Sequence, residues 1–123
     1  LAPLAEAGVD IFHCSTRRFW EPEFAGSDLT LAGWTRKLSG KPSILVGSVT
    51  LEQDFIDEGK RNIGTHAEPA SLRNLGELLA RGECDLVAVG RSLIPNPDWP
   101  KLVAAGREHE LRAYDKRDLE TLV

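Results

Sequence analysis

No apolar run in this chain approaches the roughly 20 residues that a membrane-spanning helix needs. Its first residues lack the basic start and long apolar core of a signal peptide, so no targeting segment is expected. Positive charge is not in excess: 15 Lys and Arg stand against 19 Asp and Glu, a net charge of −4. That balance argues against a general nucleic-acid binder, which would carry a basic face. Cysteine is scarce. Cys14 and Cys84 each lie in or beside an apolar run, with no partner-like spacing. No disulfide framework is expected, and a reducing cytoplasm is the expected location. Low-complexity tracts are missing too. With 41% hydrophobic and 28% charged residues, the 123-residue chain has a globular composition and room for one domain with a modest core.

What is present is an alternation. Three short apolar runs stand out: Val9-Asp10-Ile11-Phe12-His13-Cys14-Ser15, Ser43-Ile44-Leu45-Val46-Gly47, and Cys84-Asp85-Leu86-Val87-Ala88-Val89-Gly90. The second and third are continuously apolar, the pattern of strands covered on both faces. Helical patterns lie between them. Leu29, Leu31, Trp34 and Leu38 form a loose stripe opened by Ser27-Asp28 and closed by Gly40, and Leu72, Leu75, Leu78 and Leu79 form a stronger one between Pro69 and Gly82. Thr50-Leu51-Glu52-Gln53 has the spacing of a capping box, which predicts a helical turn there. Residues 57–66 read as a loop. Asn96-Pro97 or Asp98 opens a further helix through Leu102 to Ala105, stopped by Gly106, and the tail over 107–123 is charged and partly helical. The chain begins with what reads as the last turns of a helix, Leu1 to Ala7, stopped by Gly8.

Strands alternating with helices predict an α/β fold with a parallel sheet and right-handed crossovers. A repeat of roughly 35 to 45 residues suits a doubly wound sheet or part of a (β/α)₈ barrel, and a complete barrel takes about 250 residues, so the chain reads as roughly the last three-eighths of one.

In such folds ligands gather at the carboxyl ends of the strands. Three clusters fall there: Ser15-Thr16-Arg17-Arg18, Gly47-Ser48 and Gly90-Arg91. Glycines at two of these ends let backbone N–H groups approach a ligand, helix starts beyond them add partial positive charge, and Arg91 offers a planar cationic fork suited to phosphate. Glycines at strand ends also serve plain tight turns, and an arginine there also pairs with carboxylates. Spacing alone leaves both readings open.

Gly8-Val9-Asp10 with a strand ending in Cys14-Ser15, Lys41-Pro42 with Val46-Gly47-Ser48, and Asp85-Leu86-Val87-Ala88-Val89-Gly90-Arg91-Ser92-Leu93 with Asn96-Pro97-Asp98-Trp99 together resemble the C-terminal part of the Old Yellow Enzyme family of NAD(P)H:flavin oxidoreductases, including the 2,4-dienoyl-CoA reductase and 12-oxophytodienoate reductase types. The resemblance runs to about Gly106, and the segment around Gly90-Arg91 is its most specific part. It implies an FMN-binding (β/α)₈ TIM barrel of which these are the sixth, seventh and eighth strands. It also implies that backbone amides of Gly47, Ser48, Gly90 and Arg91, with the Arg91 side chain, hold the FMN phosphate. In the intact enzyme, hydride would pass from NAD(P)H through FMN to an activated alkene, an enone or enoyl compound. Ser48 stands where the family often has Gly or Asn, but it is small and keeps its N–H. Residues 50–67 are longer than the usual connection. The family's substrate-anchoring pair, proton-donating tyrosine and flavin-tuning residue come from earlier strands, so no catalytic residue falls in this chain.

Arg17, Arg18 and Trp20 follow the first strand and are placed to overhang the pocket and touch substrate or nicotinamide; alternatively Phe19, Trp20 and Phe24 pack a long loop down. His13 reads as a core or ladder residue, His66 and His109 as solvated, and with the two cysteines they offer no metal-like spacing. Trp99 reads as a helix anchor. Two other functions fit the same residues: a barrel binding a phosphorylated small molecule without flavin, and a ligand-free scaffold. Three parallel strands leave two open edges, which predicts self-association of the isolated chain.

Overall fold

The computed structural model describes residues 1–51, 66–67 and 72–121. In chain order its elements are α1 (Ala2–Glu6), β1 (Phe12–Ser15), α2 (Leu31–Ser39), β2 (Ser43–Val46), β3 (His66–Ala67), α3 (Arg73–Ala80), β4 (Leu86–Val87), α4 (Trp99–Ala104) and β5 (Tyr114–Asp115). They divide into two compact units, Leu1–Gly47 with Arg73–Ala88, and Ser48–Leu72 with Val89–Val123. No helix among the described residues is long and apolar enough to cross a membrane.

The first unit is α/β. Its sheet has the order β1-β2-β4. β2 pairs in parallel with β1, from Phe12 opposite Ser43 to Ser15 opposite Val46, and in parallel with β4 through Ile44 to Leu86 and Leu45 to Val87. Parallel neighbours need a crossover, and α2 provides it between β1 and β2, packing on both strands. Because side chains alternate along a strand, the register puts Cys14, Leu45 and Val87 in one row and His13, Ile44 and Leu86 in the next. Cys14 and Leu45 are buried, whereas Leu86 is 54% exposed. His13 is exposed and Ile44 half-buried. The continuous apolarity of the second and third runs predicts cover on both faces; among the described residues only the Cys14–Leu45 face has it.

Helix α2 begins three residues later than the Ser27-Asp28 signal suggests. Thr30 is its N-cap, its hydroxyl accepting from Gly33 N–H at 3.2 Å, while the Ser27 hydroxyl accepts from Leu29 N–H in the preceding turn. Gly40 closes the helix at φ 67°, the left-handed conformation that glycine adopts without penalty. The buried face is not the leucine stripe. Ala32, Gly33 and Thr35 are buried, and Leu38 is 58% exposed. Small residues let the helix lie close to its neighbours: a Cβ on Gly33 would come within 3.0 Å of Glu83 Oε2.

Glu83 is the polar strut of this unit. It is 5% exposed. Its Oε2 accepts from Thr30 N–H and Thr30 Oγ1–H, each at 3.0 Å, and its Oε1 accepts from Arg81 Nε and Nη2 at 3.0 and 2.6 Å. Burial pushes the carboxyl up, but the Thr30 amide, the Arg81 side chain and the Thr30 hydroxyl together hold it below its usual range. Two residues on, Asp85 Oδ2 accepts from Ser43 N–H at 3.0 Å and pairs with Arg36 Nε at 3.2 Å. The turn between α3 and β4 is thereby fixed to α2 and to the start of β2. In α3, Leu75 and Leu78 are buried as the periodicity predicts.

In the second unit β3 and β5 pair antiparallel, His66 with Asp115 and Ala67 with Tyr114. Neither two-residue strand is legible as a pattern in the sequence. Leu51 and Tyr114 form a small core, with Ile94 packed against it. Asp98 is the N-cap of α4, and Gly106, at φ 66°, follows its end, as the sequence signals predict. The charged segment beyond Arg107 contains two short 3₁₀ turns, Glu108–Glu110 and Lys116–Thr121. It is tied in by Asn96, which is 3% exposed: its Nδ2 donates to the carbonyls of Ser92 (2.8 Å) and Arg112 (3.0 Å), and its Oδ1 accepts from Arg112 N–H (2.8 Å). The helical turn expected from Glu52 and Gln53, and the loop over 57–65, lie outside the described residues.

Candidate functional site

The four residues expected to hold a phosphate fall in two units. Gly47 closes the first unit; Ser48, Gly90 and Arg91 belong to the second.

Gly47 has φ 155°, and a Cβ there would fall 2.6 Å from both the Thr16 carbonyl oxygen and Thr16 Oγ1. The chain leaving β1 crosses directly over it, held by Thr16 N–H and Oγ1–H donating to the Val46 carbonyl and Phe19 N–H donating to the Gly47 carbonyl. The fold itself therefore requires glycine at this position. Gly90 is the opposite case. It is exposed, it precedes the 3₁₀ turn Arg91–Leu93, and a Cβ there would meet nothing within 4 Å among the described residues. Arg91 is half-buried, and its guanidinium carbon lies 5.7 Å from the centroid of the Tyr114 ring, within cation–π range. Tyr114, the single tyrosine, is 2% exposed and so forms a fixed platform.

Around Ser48 the backbone is unusual. Ser48 (φ 50°) and Thr50 (φ 58°) are the non-glycine residues with positive φ among those described. Val49, Thr50 and Leu51 are 2 to 3% exposed. The Thr50 hydroxyl accepts from Trp99 Nε1–H at 3.1 Å, forms a 2.9 Å hydroxyl–hydroxyl bond with Ser92, and donates to the Val49 carbonyl at 2.7 Å. This network joins the loop 48–51 to the turn 90–93 and to the first residue of α4. Sequence reading missed Thr50, Ser92 and Tyr114 as members of the site. Thr50 was masked by its fit to a capping box, and its positive φ and its bonds to Ser92 and Trp99 have no short-range signature.

The residues expected over the pocket separate. Phe19 is 4% exposed and meets Trp20 edge-on with centroids 5.0 Å apart. Arg18 pairs with Glu21 at 2.8 Å. Phe24 packs edge-on against Trp34 instead. Phe19 thus packs the loop down, while Trp20, at 37%, and Arg17 stay exposed.

A separate cavity of about 260 Å³ opens between α2 and the 81–83 turn, ahead of β4 and so at the end of the strand away from Gly90. Its charged groups are engaged in the fold, Arg81 with Glu83 and Arg36 with Asp85 and the Gly82 carbonyl. Among the described residues no group of three or more His, Cys, Asp or Glu is placed to hold a metal ion. Cys14 and Cys84 are free and buried. Burial pushes the Cys84 thiol up, and the nearby carboxylates of Asp85 and Glu83 push it further.

No family model matches the chain. It is 32% identical over 117 residues to a protein named NADH oxidase from Thermoanaerobacter brockii, an alignment covering 89% of this chain and 15% of that protein. The chain therefore spans a small part of the length of this relative.

Proposed function

We propose that this chain is the C-terminal, FMN-phosphate-binding part of an Old Yellow Enzyme-like oxidoreductase built on a (β/α)₈ barrel. The observation that carries the reading is the Gly90–Arg91 turn. Beyond an apolar strand, a bare backbone has no described atom within 4 Å of where a Cβ would stand, and beside it a guanidinium rests on a buried aromatic platform. An anion with several acceptor oxygens suits this pairing of amides and fork. The donor set suits a phosphate monoester such as that of FMN.

In this role the backbone N–H groups of Ser48, Gly90 and Arg91 and the Arg91 guanidinium, all in the second unit, would hold the phosphate. FMN, when bound, supplies the hydride relay between a nicotinamide and an activated alkene. The residues of this chain contribute binding and placement, not proton transfer. Similarity to a protein named NADH oxidase supports NADH as the electron source. Among the described residues the row His13, Ile44 and Leu86 is exposed or half-buried, which supports a sheet face that the rest of a barrel would cover. Trp20 and Arg17, exposed after β1, are candidates to border the substrate.

Replacing Arg91 by Ala tests the assignment. Loss of a charge-assisted contact worth about 1.5 to 3 kcal/mol should weaken FMN binding roughly 10- to 150-fold. Unchanged affinity in a flavin fluorescence titration would remove Arg91 from the site.

A further inference from the structure

Backbone strain in the described chain is concentrated in one place. Ser48 and Thr50, with positive φ, flank Val49 in the loop directly after β2. For a β-branched residue this conformation is an outlier, and such outliers persist only where their surroundings over-determine them. The surroundings here are specific. Thr50 is 2% exposed and its hydroxyl engages Trp99 Nε1, Ser92 Oγ and the Val49 carbonyl. Ser92 lies in the 3₁₀ turn that starts at Arg91, and its own carbonyl is held by Asn96 Nδ2. The Thr50–Ser92 hydroxyl pair therefore joins the loop carrying Ser48 to the turn carrying Arg91.

We infer that Thr50 is a positioning residue: its hydroxyl, with Ser92 and Trp99, locks the loop 48–51 onto the 90–93 turn so that the amides of Ser48 and Arg91 are preset for one phosphate. This rests on the FMN-phosphate reading and adds to it a residue that touches no ligand. Donors fixed in advance bind an anion without an ordering cost at the moment of binding. A loop that must be ordered by the ligand binds more weakly.

The test compares FMN with riboflavin, which has the same ring system and no phosphate, on full-length apoprotein by fluorescence titration. Thr50→Val keeps the shape and β-branching but removes the hydroxyl. It should weaken FMN roughly 5- to 10-fold, about the worth of one net hydrogen bond, and leave riboflavin affinity unchanged. Thr50→Ser should restore FMN binding. Should Thr50→Val fail to fold, Trp99→Phe and Ser92→Ala remove the same bonds from the other side and should show the same selective loss. Equal losses for FMN and riboflavin, or no loss for either, would overturn the positioning role while leaving the phosphate site standing. A wild-type protein that does not prefer FMN over riboflavin would overturn both.

Discussion

At the scale of single residues, the two glycines taken together as a phosphate cradle have different reasons to be glycine. Gly47 is required by the fold, since a Cβ would strike the Thr16 backbone at 2.6 Å. At Gly90 a Cβ would meet no described atom within 4 Å, and its φ of −100° with ψ of −109° lies outside the regions that residues with a Cβ favour, so glycine there answers to its own backbone conformation and leaves the amide open to approach from outside. Gly47→Ala should therefore lose more stability than Gly90→Ala, about 1 to 3 kcal/mol for the overpacked site. Gly90→Ala should lose more FMN affinity. Thermal melts of the apoproteins and flavin titrations decide it; the reverse ranking would assign the two positions wrongly. Cys84 gives a second prediction. A buried thiol whose ionisation is pushed up is a poor nucleophile, so alkylation of the native protein at neutral pH should spare Cys84 and proceed only on unfolding.

At the scale of elements, much was legible. The period of α3, the ends of α4 and the three parallel strands follow from apolar spacing and from Gly40, Gly82 and Gly106. Elsewhere the sequence misleads for identifiable reasons. Helix α2 buries Ala32, Gly33 and Thr35; at Gly33 the close approach of Glu83 leaves no room for a larger side chain, whereas hydrophobic periodicity counts large side chains. Its start shifts to Thr30 because a carboxylate more than fifty residues away completes the cap, a partner no local window contains. The short β3 and β5 pair where Tyr114 meets Leu51 in a core, a long-range contact that no local window contains. The Glu83 strut makes a sharp prediction. Its carboxyl is held below the usual value of 4.5, so its contribution to stability is present in full above that range and is lost as pH falls through the lowered folded value. Glu83→Gln should cost about 1.5 to 3 kcal/mol near neutral pH, the worth of hydrogen bonds to a charged group, and should flatten the acid limb of the stability curve. A variant with an unchanged acid limb would show that the strut carries no linkage.

At the scale of the whole molecule, the three-stranded sheet has β1 and β4 as its edges among the described residues, and the row His13, Ile44 and Leu86 is exposed or half-buried there. Unpaired edges beside exposed apolar side chains invite another chain. We propose that the 123-residue chain on its own self-associates, and sedimentation at micromolar concentration should show species larger than a monomer; a stable monomer would contradict this. The central claim concerns the cofactor. The most direct measurement is to purify the full-length protein, record its visible absorption, and identify by mass whatever denaturation releases. The FMN reading predicts a flavin spectrum and one equivalent of non-covalently bound FMN, lost selectively on Arg91→Ala. A colourless protein that takes up no FMN on reconstitution, or one that binds riboflavin as tightly as FMN, would contradict it.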